Sequence, residues 1–108
     1  QGYSGRGDMA SKSILVVDTL LAAGEVKRAR RYAEIAWANA GGRHREAVGA
    51  TGLAEALRAA GEKHWPEARR LYQRATELAV EIGSRSTLAV ASLGAGLIAR
   101  AEGREKEA

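Results

Sequence analysis

Apolar and polar positions follow one another along this chain with the period of an α-helix, and glycines divide the pattern into segments. Apolar residues recur three and four positions apart, the spacing that places them on one helical face. Serine typically caps the start of a helix, and glycine typically follows its end. On these signals the sequence predicts five helices, over about residues 11–23, 25–40, 43–60, 66–82 and 84–102.

The apolar positions of these segments form the predicted core. They are Val26, Ala29, Ala33, Ala36, Trp37 and Ala40 in the second segment, Ala50, Leu53, Ala54 and Leu57 in the third, and Ala68, Leu71, Tyr72, Ala75, Leu78, Ala79 and Ile82 in the fourth. The fifth segment is apolar on nearly every side, with Leu88, Val90, Leu93, Leu97 and Ile98. A helix of this kind needs neighbours on several faces.

A glycine, a short polar turn and a helix with alanines at helical spacing recur along the chain. The pattern occurs from Gly24 to Ala29 and from Gly61 to Ala68, and a truncated copy runs from Gly103 to Ala108. The three alanines are 39 and 40 residues apart. A period of this length is typical of helical repeat proteins, in which each unit buries its apolar face against its neighbours. The sequence therefore predicts an all-α fold of antiparallel helix hairpins, in repeats over residues 10–42, 43–83 and 84–108.

The second of these repeats resembles the tetratricopeptide repeat (TPR) family. It has Ala54 at the close-packing position of its first helix, Gly61 at the turn, and Ala68, Tyr72 and Ala75 in its second helix. The period is longer than the 34 residues usual in that family and is similar to the long-period repeats of bacterial regulatory and signalling proteins. The resemblance implies a short right-handed solenoid that acts as a scaffold for protein–protein interaction, within a larger cytoplasmic regulatory protein.

The resemblance also implies where a partner binds, because the first helix of each TPR pair lines a concave groove. The corresponding residues are Ile14, Asp18, Leu21, Thr51, Glu55, Arg58, Leu93, Leu97 and Arg100. Some family members clamp a terminal carboxylate there with lysines and asparagines, but this chain has Asp18, Thr51 and Glu55 at such places. The expected partner is therefore a peptide or helix that offers leucines and a basic residue.

Self-association is an alternative function. The chain stops at Ala108, where a sixth helix is expected to begin, so Leu93, Leu97 and Ile98 lack a hairpin partner. Terminal repeats normally carry a polar outer face. The sequence therefore indicates either a fragment of a longer protein or a homodimer in which a second copy covers the fifth helix.

Charge and composition raise a third alternative, nucleic-acid binding. The 108 residues include 17 basic and 13 acidic side chains, a formal net charge of +4. Two clusters on the second helices of the pairs hold much of the excess: Lys27, Arg28, Arg30 and Arg31, and Arg69, Arg70 and Arg74. No aromatic residues for base stacking are interleaved with them, so a solvated face with local ion pairs is the favoured interpretation. We do not expect a nucleic-acid partner.

The sequence offers little for catalysis. Cysteine is absent, which excludes disulfides and thiolate chemistry, and His44 and His64 lack the spacing of metal ligands. The stretch 12–18 is similar to the first strand of a phosphoacceptor receiver domain, but nothing downstream is strand-like and the helical period continues. We therefore expect no enzyme activity, no cofactor and no metal. No apolar run has the roughly 20 residues of a membrane span.

The first nine residues show no apolar period, and we interpret residues 1–9 as a flexible leader or tag-like segment ahead of a domain over 10–108. Met9 is a candidate native start. The triplet Arg6-Gly7-Asp8 matches the integrin-recognition motif, but three residues match often by chance, so the solvated tail is preferred.

Overall fold

In the computed structural model, which describes the backbone of residues 3–107 and the side chains of residues 13–104, the chain consists of packed helices. They are α1 (Tyr3–Ala22), α2 (Val26–Ala38), α3 (Arg43–Ala60), α4 (Trp65–Ile82) and α5 (Arg85–Glu107). A single 3-10 turn over Glu62–His64 leads into α4. The described backbone contains no strand, so the predicted all-α class is confirmed.

The helix bounds agree with the sequence prediction in the middle of the chain and differ at both ends. The bounds of α3 are as predicted, and α4 begins one residue early. By contrast, α1 begins at Tyr3 rather than Ser11. Glycines at positions 5 and 7 disfavour a helix by about 1 kcal/mol each, but they do not prevent it. Residues 1 and 2 and the side chains of 3–12 lie outside the described part, so the leader and the Arg-Gly-Asp motif stay predictions.

The predicted turn at Gly103 is wrong, because α5 continues through this glycine to Glu107. Gly103 is not among the glycines with a positive φ, and the residues after it, Arg104 to Glu107, are all good helix formers. A glycine ends a helix only when the chain takes the left-handed conformation there. The third copy of the sequence pattern is therefore not a helix hairpin in this structure.

The other two copies end their first helix in different ways. Gly24 has a φ of 79°, and Glu25 N–H donates to Leu20 O at 2.9 Å, the long bond of a Schellman motif. Gly61 instead has φ 125° and ψ 170°, and the 3-10 turn follows it directly. The same Schellman bond recurs after α4, from Ser84 N–H to Ala79 O at 2.9 Å. Similar sequences at Gly24 and Gly61 thus give two different connections.

Helix α3 is the centre of the fold, because it packs against each of the other four helices. Every residue from Ala47 to Leu57 is buried. Many of these residues are small, which lets neighbouring helices come close. A Cβ at Gly49 would lie 3.3 Å from Cε3 of Trp37 on α2, and one at Gly52 would lie 3.5 Å from Cγ2 of Val17 on α1. The molecule is elongated, with extents of 53 × 29 × 20 Å.

The core follows the predicted stripes. Its buried positions include Ala29 and Ala33 of α2, Ala50, Leu53, Ala54 and Leu57 of α3, and Ala68, Tyr72, Ala75, Leu78 and Ala79 of α4. Ser84 caps α5, as one of the two predicted serines, and its Oγ accepts from Thr87 N–H at 3.3 Å. None of the helices in the described part combines the length and hydropathy that a membrane crossing requires.

Helix α5 is better covered than its sequence indicates. It packs against both α3 and α4, and this buries Ile98, which is 1% exposed. Leu97 is half-buried, and Leu93 remains exposed. The expectation that all three would lack cover is therefore wrong for Ile98, because α5 packs against both α3 and α4.

Candidate interaction face around Arg58

Three residues predicted to line a groove lie on one side of α3. Thr51, Glu55 and Arg58 are four and three positions apart, the spacing that stacks side chains along one helical face. Their exposure increases along the helix, from buried Thr51 and Glu55 to half-buried Arg58. Arg58 therefore reaches the surface, whereas Thr51 does not.

Arg58 is held by hydrogen bonds from several directions. Its Nη2 donates to Glu55 Oε2 at 2.7 Å, and its Nε donates to the hydroxyl oxygen of Tyr72 at 3.0 Å. The indole Nε1 of Trp65 donates to the backbone oxygen of Arg58 at 3.2 Å. Charge-assisted bonds with fixed directions such as these orient a guanidinium. We call Asp18, Glu55, Arg58 and Tyr72 the Arg58 site.

Tyr72 is the most deeply buried member of the Arg58 site. The side chain belongs to α4 and is fully buried, with its ring against Gly94 of α5, where an added Cβ would overlap the ring and hydroxyl atoms. Burial raises the pKa of Tyr72, and the charge of Glu55 raises it further against the opposing effect of Arg58. The phenol therefore stays protonated at neutral pH. The site thus connects α3, α4 and α5.

Asp18 brings α1 into the same site. Partial burial raises the pKa of this carboxyl above its ordinary value of 3.8, the nearby charge of Glu55 raises it further, and Arg58 lowers it. Asp18 is exposed, and within residues 13–104 no ion pair reaches it. Two carboxylates therefore share one guanidinium, which is bonded to Glu55.

The other predicted groove residues are placed less uniformly. Thr51 is 0% exposed and donates its hydroxyl to Ala47 O at 2.8 Å. It is a core residue in this structure rather than a surface contact, because α1 and α5 both pack on α3. Ile14, Leu21 and Leu97 are half-buried, whereas Leu93 and Arg100 are exposed. Their predicted contact with a partner stays a prediction.

Sequence reasoning missed two residues of this arrangement. It interpreted Tyr72 as a packing residue of the repeat, and it gave Gly94 no role. A glycine inside a strongly apolar helix indicates a close approach by a neighbouring group, and that signal is present at Gly94. It does not reveal that the group is the ring of Tyr72, since the pairing depends on how α4 and α5 pack.

Four of the seven basic residues in the clusters on α2 and α4 form ion pairs. Arg28 pairs with Glu25 at 2.7 Å, Arg30 with Glu34 at 3.2 Å, and Arg74 with Glu77 at 3.8 Å. Arg69 pairs with Glu102 of α5. Within the described residues α2 and α4 do not pack against each other.

Among the described residues, no group of three histidine, cysteine, aspartate or glutamate side chains lies close enough together to hold a metal ion. His44 is exposed and His64 is half-buried, and α3 lies between them in sequence.

The pKa of Asp18 gives a testable pH dependence. Because the folded-state pKa is raised, the folded protein binds more protons than the unfolded chain between the two pKa values, and stability falls as pH rises through that window. We expect Asp18→Asn to raise the free energy of unfolding slightly at pH 7, and the gain to vanish as pH falls below 3.8. Urea denaturation across this pH range measures it.

A carboxylate away from the face provides the control. Glu67 is exposed in the first turn of α4, where a negative charge stabilises a helix, so Glu67→Gln should slightly lower stability at pH 7. A stability loss in Asp18→Asn at pH 7 would contradict the placement of Asp18 beside Glu55.

Comparison with known proteins gave no matching family model, no similar curated protein and no similar solved structure. The resemblance to tetratricopeptide repeats therefore rests on the residues quoted for it, and membership of that family stays a prediction.

Proposed function

We propose that this protein is a protein-interaction module that binds a peptide or helix of a partner on the face formed by α1, α3 and α5. The observation that carries the proposal is the Arg58 site. Acceptors on α3 and α4 hold a guanidinium in a fixed position, beside the exposed carboxylate of Asp18 on α1, which has no ion pair within residues 13–104. Preorganised polar groups of this kind favour recognition, since little conformational entropy is lost on binding.

The helix packing supports a TPR-like right-handed solenoid as the scaffold. Helix α3 contacts both α1 and α5, so the first helices are neighbours. Each second helix packs on the first helix that follows it, α2 on α3 and α4 on α5, whereas α2 and α4 do not contact each other within the described residues. This is the order expected when first helices stack side by side and form one face. The unlike turns at Gly24 and Gly61 make the repeat irregular. A setting within a larger cytoplasmic bacterial regulatory protein rests on the resemblance alone.

A photo-crosslinking experiment tests the proposed face. Leu93 of α5 and Val80 of α4 are matched in exposure, at 65% and 66%, but only Leu93 belongs to the face. We replace each in turn by p-benzoylphenylalanine and irradiate the protein in its native cells. A partner adduct is expected from position 93 and not from position 80. Equal adducts at both positions, or none at 93, would contradict the proposal.

Self-association is the second candidate, and the outer side of α5 favours it. Ser92, Gly96, Ala99 and Gly103 are exposed small residues on this side, and an added Cβ at either glycine would meet no neighbouring atom. Small residues allow close helix–helix approach. With p-benzoylphenylalanine placed at Ala99 on this side, an adduct of twice the chain mass would identify a second copy as the partner.

A further inference from the structure

We propose that the segment bound on the α1/α3/α5 face is basic and amphipathic, with one lysine or arginine placed between Asp18 and Glu55. This proposal rests on the proposed function. The face then selects a cationic side chain with apolar neighbours, rather than an acidic peptide or a terminal carboxylate. The proposal follows from which charges in the Arg58 site are already bonded and which are not.

The positive charge of the site is already balanced within it. Arg58 donates to Glu55 at 2.7 Å and to Tyr72 at 3.0 Å, and its side chain is 31% exposed. A carboxylate from a partner that approached the remaining N–H donors of Arg58 would meet the negative charges of Glu55 and Asp18, and like charges placed together are unfavourable.

The negative charge is available. Asp18 is exposed and has no ion pair within residues 13–104, so Asp18, Glu55 and Arg58 together carry a surplus of one negative charge. This surplus lies on a protein whose formal net charge is +4. Burial raises the pKa of Asp18, and the negative charge of Glu55 raises it further. A cation beside Asp18 relieves that repulsion, and charge complementarity favours partners that supply one.

Among the described residues, the charged groups that act on Asp18 are Glu55 and Arg58 of α3. Tyr72 of α4 lies buried beneath them and accepts a hydrogen bond from Arg58. On α5, Gly94 lies level with Tyr72, and Arg100 follows six residues later, about 9 Å along the helix axis. Arg100 therefore places its positive charge toward one end of the face rather than at its centre.

Apolar groups flank the carboxylates on both sides. Leu93, next to Gly94, is 65% exposed, and on α1 the half-buried Ile14 and Leu21 lie four and three positions from Asp18 on the same helical side. A bound helix with a lysine or arginine and leucines at positions three or four away matches this arrangement of charge and apolar surface.

Selection from a phage-displayed library of random peptides on the immobilised protein tests the partner chemistry. We expect the selected peptides to be enriched in lysine or arginine at one aligned position, with apolar residues three or four positions away. Binding of individual synthetic peptides to Asp18→Lys should be weaker by about tenfold. Glu67→Lys makes the same charge change on α4 and should alter binding less than twofold. Circular dichroism confirms that both variants are folded.

The outcomes separate the partner chemistry from the proposed function. Enrichment of acidic or uncharged peptides that lose binding in Leu93→Asp would overturn the basic partner and leave the interaction face standing. Peptides whose binding is unchanged in both Asp18→Lys and Leu93→Asp bind elsewhere and would overturn both proposals. Absence of any enrichment over the bare support would also count against both.

Discussion

Gly94→Ala is expected to destabilise the protein by about 2 kcal/mol, although alanine is the better helix former. The added Cβ would overlap the ring of Tyr72, which is fully buried and bonded to Arg58, so the ring has no free space to move into. Accommodation requires α4 and α5 to separate, with loss of packing along both. The expected change in melting temperature is a fall of about 10 °C, measured by circular dichroism at 222 nm.

The same substitution two residues further along α5 provides a control of opposite sign. Gly96 is exposed, and an added Cβ there meets nothing within 4 Å. Gly96→Ala should therefore raise the free energy of unfolding by up to about 1 kcal/mol, through helix propensity alone. If Gly94→Ala stabilised the protein as Gly96→Ala does, that result would contradict the close contact between Tyr72 and Gly94 of α5.

Tyr72→Ala is expected to cost about 3–5 kcal/mol, the largest effect of any single substitution considered for this chain. The side chain is 0% exposed and lies where α3, α4 and α5 meet, so its removal leaves a cavity and deprives Arg58 of an acceptor. Small domains have about 5–15 kcal/mol of stability in total, so a large fraction would be lost. Urea denaturation followed by circular dichroism measures the change.

Two further variants separate the contributions to this loss. Tyr72→Phe keeps the ring and removes only the hydroxyl that accepts from Arg58, so about 1–2 kcal/mol is expected. Tyr32→Ala makes the alanine substitution at a tyrosine of α2 that is 38% exposed, and its cost should be under about 1 kcal/mol. A similar loss in Tyr32→Ala and Tyr72→Ala would show that Tyr72 is not a core residue.

The sequence predicts the fold class and the middle helices well because their signals are local. Gly83 follows α4 in a left-handed conformation, Pro66 lies in the first turn of that helix, and Ser84 caps the next. The prediction at Gly103 is wrong because glycine alone does not stop a helix. Whether the chain turns depends on the φ adopted there, and the residues that follow Gly103 favour continued helix.

For the site, the resemblance to TPR proteins indicates which residues share a face but not how deep each one lies. It places Asp18, Glu55 and Arg58 together, and in the structure the charges of Glu55 and Arg58 both act on Asp18. The burial of Thr51 could not be predicted, since it depends on how closely α1 and α5 approach α3. The contact between Tyr72 and Gly94 could not be predicted for the same reason. It joins two helices, and the pattern within one helix does not show how closely another helix packs against it.

The central position of α3 has a consequence for the timing of local motion. Each end of the chain packs on α3 from its own side, so α1 or α5 can open while the contacts of α3 with the remaining helices persist. Amide protons in the middle of α3 should then exchange with solvent only through global unfolding, whereas those of the terminal helices exchange through local fraying. Glu55 lies in the buried part of α3, and Arg58 directly follows that part. Recognition would therefore be anchored on the part of the molecule that opens least often.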